Sequence, residues 1–68
     1  MCRSIQTLRR SDHPVEAVEV EAAARQFVRK VSGYRQPSKK NEEAFEGAIL
    51  EITEASRRLL EALGTPLA

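Results

Sequence analysis

The sequence has one cysteine, Cys2, so no disulfide can close within the chain. It has one histidine, His13, and one Cys with one His cannot complete a four-ligand zinc site without a second chain. No apolar run approaches the ~20 residues that a membrane span requires, and the N-terminus carries no secretory pattern. Glycine-rich phosphate loops, zinc-finger spacings and RNA-recognition signatures are missing. So are internal repeats and low-complexity tracts. These absences predict a cytoplasmic protein with no membrane segment, no resident metal and no cofactor.

At 68 residues the chain is one domain at most. A chain of about this size buries only about 60% of its unfolded surface, and its own core is thin. Small scaffolds are usually reinforced by disulfides, a metal or oligomerisation. With the first two set aside, association with a second copy or a larger protein is the expected reinforcement.

The net charge is +1, but the charges are unevenly spread. Arg25, Arg29, Lys30, Arg35, Lys39 and Lys40 follow one another with no acid between them. Arg3, Arg9 and Arg10 form a second basic cluster, while acids collect in Glu16–Glu21 and Glu42–Glu61. A basic pole and an acidic body are expected.

Apolar periodicity predicts two helices. Ala17, Val20, Ala24, Phe27 and Val31 step by three and four, with Ala23 and Val28 flanking. A first helix over 14–32 follows, opened by Pro14 with Asp12 or His13 as cap and closed by Gly33. Phe45, Ile49, Ile52, Ser56, Leu59 and Leu63 form the second stripe, flanked by Ala48, Ala55 and Ala62. A second helix over 39–63 follows, capped by Ser38 or Asn41 and ended by Gly64 and Pro66. Glu21–Arg25, Glu54–Arg58 and Arg57–Glu61 are spaced as ion pairs along these helices. The connection, Tyr34-Arg35-Gln36-Pro37, is short enough to force the helices antiparallel and adjacent.

The predicted fold is all-α: an antiparallel two-helix hairpin over 14–68 with an N-terminal arm over 1–13, completed by dimerisation. Phe27 and Phe45 are expected among the most buried side chains. Leu50 and Leu60 fall off the main stripe, and a second apolar line needs a cover. Ile5 and Leu8 of the arm provide one answer, and a subunit interface provides the other. Ile5, Leu8, Leu50 and Leu60 are thus the interface candidates.

The hairpin turn gathers Arg29, Lys30, Tyr34, Arg35, Ser38, Lys39 and Lys40 at one end. Free N–H groups at a helix start beside lysines suit a phosphate, and Tyr34 suits stacking on a base. The plainer reading is dipole complementation by Arg29 and Lys30, with solvating charge in the loop. Cys2 would be the N-terminal residue after loss of Met1, a candidate nucleophile or sensor, although no His or acid nearby completes an activated pair. His13 before a proline reads as a cap or turn residue. The glutamates of the second helix read as a solvated face, because that helix has no histidine to build a carboxylate-bridged metal site.

Met1-Cys2-Arg3-Ser4-Ile5-Gln6-Thr7-Leu8, Gln26-Phe27-Val28-Arg29-Lys30-Val31-Ser32-Gly33, Pro37-Ser38, Asn41, Ala44-Phe45 and Leu59-Leu60 carry a resemblance. The chain resembles, over nearly its whole length, an uncharacterised bacterial family known as domain of unknown function 2277. The resemblance implies a bacterial cytoplasmic origin and brings no activity, cofactor or partner with it. Where the family usually has an aromatic-acid-proline run, this chain has Arg9-Arg10-Ser11-Asp12-His13-Pro14. Many members continue into a charged, basic tail, whereas this chain stops at Ala68; if that tail binds something, this chain is expected to lack that binding or to bind differently. The matching parts imply a site shared between the Cys2 start and the loop from Arg29 to Ser38.

The leading functional expectation is a non-enzymatic interaction module that forms a homodimer or docks on a larger protein. The alternatives are a nucleic-acid or phosphate binder using the basic pole, and a thiol enzyme or sensor using Cys2.

Overall fold

The computed structural model describes residues 7–68, and 65% of them are helical. Helix α1 spans Ala17–Ser32, a single 3-10 turn spans Lys39–Asn41, and helix α2 spans Glu42–Ala62. Ala24 and Val28 pack on Phe45 and Ile49, while Val20 packs on Leu60. Early residues of one helix therefore meet late residues of the other, and the hairpin is antiparallel as expected.

α1 begins later than Pro14 because the backbone of Val15 is engaged elsewhere. Its N–H donates to the Pro66 carbonyl at 2.9 Å, and its carbonyl accepts from Ala68 N–H at 3.0 Å. This isolated parallel bridge between Val15 and Leu67 holds Val15 extended. Glu16 then takes the cap position with extended backbone, not Asp12 or His13. The Glu19 carboxylate reaches back to the Glu16 N–H at 2.9 Å and satisfies one of the helix's free donors. Gly33 ends the helix at φ 80, its N–H on the Arg29 carbonyl at 2.9 Å, as a left-handed glycine does.

α2 likewise starts later than expected. Ser38 opens only the 3-10 turn, where its carbonyl accepts from Asn41 N–H at 3.0 Å. Gly64, at φ 76, lets the chain reverse so that Thr65 N–H donates to the Leu60 carbonyl at 2.9 Å.

The core has two parts. Ala24, Val28, Phe45 and Ile49 fill the loop half, with Ala48 and Ile52 against them. Val15, Val20 and Leu60 fill the other half, joined by Leu8 and Leu67. The α1 seam therefore runs Val20, Ala24, Val28 in steps of four, and Phe27 is 48% exposed where burial was expected. Val20, Ala24 and Val28, four apart, share the line that meets Leu60, Phe45 and Ile49, and Phe27 lies beside that line on the wall of a groove. On α2, Leu60 is in the core while Leu59 and Leu63 face outward.

Arg10 fastens the arm to the start of α1. Its guanidinium donates to Glu19 at 2.7 and 3.1 Å and to the Pro14 carbonyl at 2.9 Å. That hydrogen bond, seconded by the Glu16 N–H, holds the Glu19 carboxyl down to about 2.

Candidate functional site

The charges of α2 occupy one side of the helix. Glu46, Glu54, Arg57 and Glu61 lie there, with Arg57 bonded to Glu54 at 3.1 Å and to Glu61 at 3.4 Å. Glu54 was expected to pair with Arg58. Arg57, three residues along, lies between both glutamates and takes them instead. On the flank toward α1, Arg25 bridges the helices through a bidentate pair with Glu46, at 2.9 and 3.0 Å. That contact lowers the Glu46 carboxyl and raises the Arg25 guanidinium from their ordinary values. Glu21 lies 3.7 Å from the same arginine, the pairing expected from spacing.

The other side of α2 carries no charge. Ala44, Ala48, Ile52, Ala55, Leu59, Ala62 and Leu63 recur there at spacings of four and three. The hairpin covers little of it: Leu59 is 59% and Leu63 57% exposed, and Ala44, Ala55 and Ala62 are open to solvent. At the loop half, this face meets Phe27 and Val31 of α1 and the ring of Tyr34. Together they line an apolar groove of about 460 Å³ whose floor is Val28, Phe45, Ala48 and Ile52. At the other half, the leucines project. One continuous face thus holds a hollow at one end and two protruding side chains at the other.

The interface candidates of the sequence fall in different places. Leu60 is buried in the core with Val15 and Val20, so it shares no outward line with Leu50. Leu50 is exposed on the opposite flank, beside Glu21, Glu46 and Thr53. Leu8 is half-buried against the terminal cluster. Ile5 lies outside the described residues, as does Cys2. The outward face was nonetheless written in the sequence: all charges of α2 beyond its first turn avoid one arc, which two helices alone cannot cover.

The basic pole is less uniform than its sequence. Arg29 is half-buried, and its Nε donates to the Arg35 carbonyl at 3.0 Å. It shares a groove with Arg25 and Arg35, but also with Glu42 and Glu46. Glu42 and Glu43 occupy the first turn of α2, so acids already complement the free N–H groups where an anion was expected. Lys30, Ser38, Lys39 and Lys40 are exposed. Tyr34 is 45% exposed, and its hydroxyl accepts from Asn41 Nδ2 at 3.4 Å, which turns the ring toward the apolar groove.

Among the described residues, no cluster of three His, Cys, Asp or Glu is placed to hold a metal, and no helix is long and apolar enough to cross a membrane. His13 Nδ1 lies 3.0 Å from Arg10 Nε and belongs to the turn that anchors the arm.

Residues 1–67 match the model of a family described as Uncharacterized conserved protein (DUF2277), and the chain belongs to that family. No curated protein and no solved structure matches it.

Proposed function

We propose that the protein is a small helical interaction module that works by docking the apolar face of α2. The observation that carries this is the charge-free arc from Ala44 to Leu63, continued by Phe27 and Val31 of α1. Exposed leucines scattered singly would need no explanation. A contiguous apolar face bounded by charges does, because folded monomers rarely expose one. Leu59 and Leu63 are already partly covered, so burying the remainder against a partner is worth roughly 1–2 kcal/mol each. That supplies the reinforcement a two-helix core of this size calls for.

The alternative, a phosphate or nucleic-acid binder, rests on exposed Lys30, Lys39 and Lys40. It is the weaker reading, since Arg25 and Arg29 are engaged within the chain and two acids line the same groove. The thiol reading has only Cys2 in its favour.

The deciding experiment follows a tagged chain through size-exclusion chromatography of its host extract. The wild type should elute well above 7.6 kDa. Leu59→Lys should return it to the free chain, and Leu50→Lys on the other flank should not. A wild type that elutes as the free chain, or a complex indifferent to Leu59, would overturn the reading.

A further inference from the structure

Resting on that reading, we infer that the face docks a second copy of this chain, with the two α2 helices antiparallel across a two-fold axis beside Ala55. An isologous interface must be self-complementary under a half-turn, and this face is. The half-turn carries Leu59 and Leu63 of one copy onto Ile52, Ala48 and the 460 Å³ groove of the other, and the reverse. Projection meets hollow twice. Along the seam, Ala48, Ile52, Ala55, Leu59 and Ala62 step by four, three, four and three, the spacing of helix-on-helix seams. Alternating small and large side chains interdigitate when the directions oppose.

The rim charges agree with the same geometry. Glu51 and Arg58 each precede a large seam residue, Ile52 and Leu59, and border the face on its far side. Among the described residues neither takes part in an ion pair within the chain. The half-turn sets Glu51 of each copy against the second copy's Arg58. A parallel arrangement would instead oppose hollow to hollow and set the projecting Leu59 and Leu63 against their own counterparts, and Glu51 and Arg58 would not meet.

The 21 residues of α2 run ~31 Å along a helix ~10–12 Å across, so the second copy meets α2 over its length and also reaches Phe27, Val31 and Tyr34 at each loop end.

Sedimentation equilibrium of the purified chain should give twice 7.6 kDa. Glu51→Arg or Arg58→Glu alone should weaken the dimer roughly tenfold, by replacing two attractions with two repulsions. The double exchange should restore it. In a chain carrying Cys2→Ser, a mixture of Ala48→Cys and Ala62→Cys copies should cross-link on oxidation, while Ala48→Cys alone should not. A monomer at 100 µM, cross-linking of Ala48→Cys to itself, or no rescue by the double exchange overturns the antiparallel dimer. If the pure chain is monomeric while Leu59→Lys still releases the wild type from a complex in extract, the second copy is refuted and the interaction reading stands. Leu59 is already exposed in the single chain, so its lysine variant should keep the helical circular dichroism and remain interpretable.

Discussion

Beside the loop, Ala24, Val28, Phe45 and Ile49 pack helix against helix, and nothing outside the helices is needed to close the cluster. Beside the chain ends, Val15, Val20 and Leu60 are enclosed only with Leu8 and Leu67, which belong to segments that are not helical. Two short backbone hydrogen bonds tie those segments together, and Arg10 pins them to α1. One half of the molecule is thus a helical hairpin. The other half is a small wrapped core in which the two ends of the chain act as the third wall.

That difference sets an order of sensitivities, read by urea unfolding at one fixed protein concentration, so that self-association of the kind proposed enters every variant alike. Phe45→Ala should cost most, about 3–5 kcal/mol, since its ring is packed between two rigid helices that cannot close the cavity. Leu60→Ala should cost about 2–3 kcal/mol, the lower part of the range for such truncations, because the arm and tail can collapse inward. A larger loss for Leu60 than for Phe45 would reverse the comparison and make the chain ends the firmer half.

The same contrast marks what the sequence allowed to be read. The hairpin, Gly33 as terminator, Gly64 as terminator and the burial of Phe45 and Ile49 follow from helical period and cap chemistry, which are local. The terminal core is not local. Val15 is drawn into it by Pro66 and Ala68, some fifty positions away, and no helical period signals that pairing. For the same reason Pro14 looked like a helix start, while Leu60, off the main stripe and in need of a cover, has one in Leu8 of the arm together with Val15 and Leu67. Phe27 failed differently: a step of three and a step of four both continue a stripe, and the buried line takes the step of four, from Ala24 to Val28. Of the candidate face, the charge-free arc was legible, but its width was not. It became visible only once Leu60 was in the core and Leu59 was not.

Thr65 sharpens the comparison at the wrapped end. It is buried, and its Oγ1 finds no hydrogen-bond partner, although its N–H is satisfied by the Leu60 carbonyl. A buried hydroxyl without a partner is a cost the isosteric Thr65→Val change removes. The variant should gain up to ~1 kcal/mol. A loss in the same assay would mean that the hydroxyl is bonded in solution, and that the chain ends close more tightly than their hydrogen bonds indicate.

The smallest effect expected is acid sensitivity, and it too should differ between the halves. Among the described residues each half has one bidentate arginine–glutamate pair, Arg10–Glu19 at the chain ends and Arg25–Glu46 nearer the loop. Both carboxyls lie below their ordinary value, chiefly through the arginine hydrogen bond. A carboxyl lowered by folding adds stability that is full above its unfolded value and fades as pH falls through its folded value. For Glu19 that window runs from 4.5 down to about 2. Glu19 also accepts from the Glu16 N–H that opens α1, so protonating it loosens a helix start as well as an ion pair. Glu46 has the ion pair alone. Arg25–Glu46 is largely solvated and Arg10–Glu19 is only part-buried, which keeps the effect small. Urea midpoints at pH 6 and pH 3 should therefore drop for the wild type, drop less for Glu46→Gln, and drop least for Glu19→Gln. If Glu46→Gln flattens the profile more than Glu19→Gln does, the acid-labile half is the one beside the loop, and the arm is not held by its charge.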